Sequence, residues 1–197
     1  MNTVFVDIDT QVDFILPDGA LYVKDAEKLL PVYREISTFA RERGIPVLAS
    51  ADAHAADDPE FAQFPPHCVK GQPGQKKVAE TLPELFFVQE NDGRPVDAEA
   101  LNHDHVLFEK QTFDVFSNPK IDAYLQHLKP ERVVVYGVAT DYCVKAAVES
   151  LLKRNYHVEL LTDAIKAVDP SAEPEILTNL QKQGARLTTF AELKSRL

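Results

Sequence analysis

Cys143 has the most chemistry to offer. It follows Gly137-Val138-Ala139-Thr140-Asp141-Tyr142, where a valine-rich strand should hand over to a helix. A helix N-terminus and a nearby ammonium both favour thiolate over thiol, and the thiolate is the nucleophile. Position alone favours a plainer reading, a buried structural cysteine in the first helical turn. Lys110, in Phe108-Glu109-Lys110, supplies an amine, and Asp9, closing Val4-Phe5-Val6-Asp7-Ile8, supplies a carboxylate. Taken singly, Lys110 also suits a strand-end lysine in water and Asp9 a turn cap.

A second constellation runs through Asp52-Ala53-His54, Glu60 and Phe64-Pro65-Pro66-His67-Cys68. Two imidazoles and two carboxylates suffice to bind a borderline divalent metal such as Zn, Fe or Mn. Asp-x-His alone is a weak signal, because such pairs arise by chance in polar loops. His67 strengthens it: two prolines stiffen its segment, and a rigid ligand loses less conformational entropy when ordered. His103, His105, His127 and His157 read as surface or turn residues.

The elements that must position these groups alternate. Strands are expected at 4–9, 46–50, 106–108, 132–136, 158–161 and 186–188. Helices are expected at 25–43, with Pro31 near the first turn and Gly44 as the stop, and at 119–128 and 142–154. Such alternation implies a mostly parallel sheet in a three-layer α/β/α sandwich, read as a single domain over 1–197. Ligands of open parallel sheets bind beyond the carboxyl ends of the strands. Four strand ends here deliver Asp9, Asp52 with His54, Lys110, and the 137–143 segment with its thiol. The irregular, proline-rich stretch at about 52–105 is long for a compact domain, which suggests a functional or inserted region. Within it, residues 89–95 read as an exposed turn between short strands.

Composition narrows the partners. The chain has 197 residues, 45% hydrophobic and 26% charged, with a net charge of -10. A nucleic-acid binder needs a concentrated basic footprint, and no basic cluster here exceeds Lys76-Lys77 or Lys153-Arg154. No apolar run approaches the roughly 20 residues needed to cross a bilayer. No signal peptide is visible, so the two cysteines, Cys68 and Cys143, are expected to be reduced thiols in a cytoplasmic protein.

Five segments together carry a resemblance: Asp9-Thr10-Gln11-Val12-Asp13-Phe14, Asp52-Ala53-His54, 64–71, Phe108-Glu109-Lys110 and 137–144. In order and spacing the chain resembles the isochorismatase-like cysteine hydrolases, and among them the nicotinamidases. The resemblance implies an Asp-Lys-Cys triad at Asp9, Lys110 and Cys143, and metal ligands at Asp52, His54 and His67. Glu60, seven residues before His67, is the implied fourth ligand, with Asp58 as second candidate. Zn is the implied metal, ahead of Fe or Mn. The resemblance also implies a non-proline cis peptide at Val138-Ala139, with the N–H groups of Ala139 and Cys143 as oxyanion hole. Phe14 and Phe64 would flank an aromatic ring, and Tyr142 would close the pocket.

The implied reaction converts nicotinamide to nicotinate and ammonia through a thioester, a step of pyridine nucleotide salvage. The implied partners are a small amide substrate and further copies of the chain, not nucleic acid or membrane. Amidohydrolases of N-carbamoyl, ureidoacrylate or maleamate-like compounds are the alternative, and they usually lack the metal triplet. Isochorismatase itself lacks the nucleophilic cysteine, and a noncatalytic metal-binding protein would not need the triad. Two departures stand out: Phe64 and Ala53 occupy positions where the family often has tryptophan, and the chain has none. Asp7 is an additional carboxylate that would raise the proton affinity of Asp9 if it faced the same site.

Overall fold

The computed structural model describes residues 2–197. Seven strands form one all-parallel sheet: β1 (Thr3–Ile8), β2 (Val47–Asp52), β3 (Phe87–Gln89), β4 (His105–Lys110), β5 (Arg132–Val138), β6 (Val158–Lys166) and β7 (Arg186–Thr188). Their spatial order is β3-β4-β2-β1-β5-β6-β7. The chain steps from β1 to β2, out to the edge strand β3, back to β4 between them, and then across to β5, β6 and β7 on the other side of β1, so the switch point lies at β1, between β2 and β5.

Both faces of the sheet are covered, which is why β1 and β5 are buried along their whole length. On one face Val4, Val6, Val133 and Val135 pack with α3 (Lys120–Leu128), α4 (Lys145–Lys153) and α5 (Glu173–Gln183) through Tyr124, Val148 and Leu180. On the other, Phe5, Val134 and Tyr136 meet α1 (Val12–Ile15), α2 (Leu30–Arg43) and α6 (Phe190–Lys194) through Ile15, Tyr33, Ile36 and Phe190. The result is the expected three-layer sandwich. Pro31 sits in the first turn of α2, where its missing N–H breaks no intrahelical bond. Gly44, at φ +60°, caps that helix by donating to the Ala40 and Arg41 carbonyls.

Three expectations need correction. Residues 26–29 form a 3-10 turn before α2 rather than its first α-helical turn. Residues 140–144 form a π-helical turn, and α4 begins only at Lys145. Residues 90–95 lie mostly exposed between β3 and β4, as expected of a turn between short strands, although these two strands run parallel. His105 is half-buried rather than a free surface residue: it begins β4, and its Nε2 is buried without a hydrogen-bond partner among the described residues. Among those residues no helix is long and apolar enough to cross a membrane.

Candidate active site

Four parallel strands deliver the site at their carboxyl ends. Asp52 ends β2 and Lys110 ends β4 directly opposite it in register. Asp9 follows β1 with φ +47°, a left-handed turn that aspartate tolerates better than most residues. Cys143 comes from the π-helical turn beyond β5. Gly137 lets β5 approach β1 closely enough: at φ +121°, a Cβ there would lie 2.0 Å from the Ile8 carbonyl oxygen.

Lys110 is the hub. Fully buried, its Nζ lies 2.8 Å from Asp9 Oδ2 and 3.5 Å from Cys143 Sγ, ion-pairs with Asp52 Oδ1, and donates to the Thr112 carbonyl at 2.9 Å. Burial opposes its charge, yet the Asp52 and Asp9 carboxylates outweigh that and hold its pKa well above the ordinary lysine value. Burial likewise works against the Asp52 carboxylate, and Lys110 overrides it, leaving that pKa lowered.

The cysteine departs from expectation. Burial pushes the Cys143 thiol well up, Lys110 pulls it down, and Asp9 and Asp52 push up again. Burial and the flanking carboxylates thus favour the neutral thiol over a preformed thiolate. Cys68 is buried behind the histidine loop, and its thiol is pushed up by burial as well.

Asp52 also faces the imidazoles. Its Oδ2 lies 3.8 Å from His54 Nε2 and 4.0 Å from His67 Nε2, and Glu60 Oε1 lies 3.8 Å from His67 Nε2. The other ring nitrogens are engaged, His54 Nδ1 with Asp58 Oδ2 at 3.0 Å and His67 Nδ1 with the Pro65 carbonyl at 2.8 Å. Both Nε2 lone pairs are thereby left for a common centre. His54 Nε2 is buried without a hydrogen-bond partner among the described residues. Burial disfavours the His54 cation, but Asp52 and Asp58 raise its pKa to about 9. Asp52, His54 and His67 each turn one ligand atom to a common place, all within 4.8 Å of one another, and two imidazoles with a carboxylate are a donor set that fits a divalent cation.

Phe14, Phe64, Tyr142, Ala139 and Cys143 line one small cavity of about 70 Å³, with Asp52, Glu60 and His67 in its wall. Phe64 and Tyr142 meet edge to face at 6.1 Å between centroids. The Val138-Ala139 peptide is cis. A larger groove of about 980 Å³, lined by Arg34, Arg41, Leu85 and His105, opens at the amino ends of β2 and β4 and contains none of these groups.

Several functional-site neighbours escaped the sequence reading. Phe113 completes the mouth of the cavity, 5.3 Å from Tyr142 and 6.2 Å from Phe64; the strand-end rule that found Lys110 also reaches it, three residues on. Phe61 packs on both imidazoles. Gln11 clamps the Asp52 backbone, accepting its N–H at 2.8 Å and donating to its carbonyl at 2.9 Å. Asp13 accepts the Cys68 N–H at 2.7 Å and so fixes the loop bearing His67. Asp7 does not face the site: its side chain pairs with Lys77 at 3.0 Å.

The Isochorismatase domain family matches residues 3–192 of the chain. Over 94% of this chain and 93% of the relative, it is 29% identical to the nicotinamidase of Escherichia coli. It is 24% identical to a probable inactive nicotinamidase of Arabidopsis thaliana, over 100% of this chain and 96% of that one. The pyrazinamidase of Pyrococcus horikoshii, solved in complex with zinc, superposes with a TM-score of 0.81 at 28% identity, covering 96% of this chain and 100% of the other. From its first strand to its last helix, the chain belongs to the isochorismatase family.

Proposed function

We propose that this chain is a metal-dependent cysteine amidohydrolase that cleaves nicotinamide to nicotinate and ammonia through a thioester on Cys143. One observation carries the reading. Asp52 joins the two constellations, its Oδ1 paired with Lys110, which lies 3.5 Å from the Cys143 sulfur, and its Oδ2 turned to His54 and His67. An isolated acid-amine-thiol group would serve many amides, whereas one sharing a wall with a metal cluster suits an amide carried on a metal-binding ring. The similarity to nicotinamidases and to a zinc-bound pyrazinamidase supports this choice.

In this reading, Asp52, His54, Glu60 and His67 hold the metal, zinc first and Fe or Mn next. Asp58, bonded to the outer nitrogen of His54, orients that ligand instead of binding. When bound, the ion would supply a Lewis-acid anchor for a pyridine nitrogen. Phe14 and Phe64 flank the ring, and Tyr142 with Phe113 closes over it.

The chemistry belongs to the chain's own residues. Asp9 takes the Cys143 proton as the sulfur attacks the carboxamide carbon, so charge appears on sulfur only as the C–S bond forms. Lys110, cationic throughout, stabilises that charge. The N–H groups of Ala139 and Cys143 receive the carbonyl oxygen as it becomes anionic. Asp9 then returns the proton to nitrogen, because an amide nitrogen leaves only when protonated, and ammonia departs. Water loses a proton to Asp9 and attacks the thioester; the sulfur leaves and takes that proton back.

The proposal further holds that a small carboxamide is the partner, without nucleic acid or membrane, and that the chain works as a homo-oligomer in the cytoplasm. Ammonia release from nicotinamide, pyrazinamide and N-carbamoyl compounds, before and after chelation and zinc restoration, tests the function. Turnover of pyridine carboxamides that falls with chelator and returns with zinc is expected. Activity confined to carbamoyl compounds, or absent from all of them, contradicts it.

A further inference from the structure

The mechanism leaves a buried charged pair behind the site without a task. Asp7 and Lys77 are both sealed from solvent, with Nζ 3.0 Å from Oδ2, behind the site on the α2 face of the sheet. Asp7 is satisfied further by the Thr10 hydroxyl at 2.9 Å. A buried ion pair is weak evidence for stability, since desolvation offsets much of the attraction. The remaining contact of Lys77 is informative: its Nζ donates to the Ser50 carbonyl at 3.1 Å.

Ser50, fully buried on β2, in turn holds Asp9 twice. Its hydroxyl donates to Asp9 Oδ1 at 2.6 Å and accepts the Asp9 N–H at 3.2 Å. Asp9 needs such support, because its backbone sits at φ +47°. The two Asp9 oxygens thereby divide: Oδ1 is tied to Ser50, and Oδ2, 2.8 Å from Lys110, is left for the thiol side. A carboxylate that must exchange protons with sulfur and then nitrogen gains from having one oxygen fixed, since reaction rates fall steeply with small misplacements.

We propose that Ser50 is the positioning residue of Asp9, and that the buried Lys77–Asp7 pair holds Ser50 in place from behind. Neither touches substrate. This rests on the proposed amidase chemistry for its kinetic consequence, though the placement of Asp9 can be read without it.

The test uses zinc-loaded full-length protein carrying Ser50→Ala, Ser50→Thr, or Asp7→Asn with Lys77→Met, the last removing both charges so that neither is left buried alone. Ser50→Ala is expected to lower kcat for nicotinamide roughly tenfold while KM stays within about twofold, the signature of a group acting on the reacting state. Ser50→Thr, which keeps the hydroxyl, should restore most of the loss. The charge-free pair should lower kcat about threefold, again at constant KM. Zinc content should be unchanged in all three. Ser50→Ala with more than about half the parent kcat, or a loss carried by KM alone, overturns the proposal. An unchanged kcat in the charge-free variant overturns the part given to Lys77. If the parent protein hydrolyses no carboxamide, the functional reading falls separately, and the crystal structure of Ser50→Ala decides this one. An Asp9 carboxylate turned away from its parent orientation supports it; an unmoved one overturns it.

Discussion

Replacing Asp52 with asparagine keeps the shape of the side chain and removes the charge shared by both halves of the site. Lys110, fully buried, loses one of its two counter-charges and keeps only Asp9 at 2.8 Å. A hydrogen bond to a charged group contributes about 1.5–3 kcal/mol. For a chain of this size each kcal/mol moves the melting temperature by about 2–4 °C, so the metal-free variant should melt roughly 5 °C lower. The loss at the metal cluster is separate. One of its carboxylates becomes a neutral amide; taking about 3 kcal/mol for that charge, zinc should bind about two orders of magnitude more weakly. Competition with a chromophoric chelator measures the zinc affinity, and ammonia release at saturating zinc measures what remains of catalysis. Both should fall together, turnover by at least roughly a hundredfold, because the acid-amine-thiol group loses a wall even when the metal is forced in. A variant that binds zinc like the parent, or that binds it weakly yet turns over normally once saturated, would refute the idea that Asp52 couples the two clusters.

Three further outcomes follow. Cys143→Ala should abolish ammonia release and leave the zinc stoichiometry intact; substantial residual turnover would remove the sulfur from the mechanism. Glu60→Gln should weaken zinc binding by more than Asp58→Asn, which loses only the outer partner of His54, an effect of about 10- to 100-fold; the reverse order in chelator competition would make Asp58 the ligand. His105 gives a pH signature. Burial, with Lys77 nearby, lowers its folded-state pKa to about 4, below the ordinary value of 6.5. The neutral ring is favoured in the fold, so stability is fully present above 6.5 and is lost as pH falls toward 4. Between pH 7 and 5 the unfolded chain gains a proton that the folded one refuses, a difference of about 2 kcal/mol. Denaturant midpoints across that range should fall for the parent and fall less for His105→Leu; parallel curves would show that His105 is not the group responsible.

Much of this site was legible because parallel sheets collect function at one edge. Asp9, Lys110 and Cys143 stand 33 or more positions apart, yet each follows or ends a strand, and that rule alone brings them together. His54 and His67 were legible for a different reason, ligand chemistry on a stiffened loop. The unread parts depend on contacts that local pattern does not encode. Asp7 and Lys77 meet only because the 73–78 segment returns alongside α1 and bridges to Gln11. Phe113 is one apolar residue in a polar loop, and its role depends on where Phe64 and Tyr142 lie. His105 read as a surface or turn residue, and its partial burial comes from its place at the start of β4. The thiol shows how the fold adds opposing influences to a sequence signal. Lys110 and a helix start both argue for thiolate, but complete burial and two carboxylates around Lys110 argue more strongly for the neutral form.

The central claim is that this buried sulfur becomes acylated. Rapid acid quench of the zinc-loaded protein during nicotinamide turnover, followed by intact mass and peptide mapping, reads that directly. A fraction of the chains should carry one nicotinoyl group, lost on treatment with hydroxylamine and mapped to the peptide containing Cys143. Full turnover with no acyl group on Cys143, also when hydroxylamine traps no nicotinoyl product, would contradict the account.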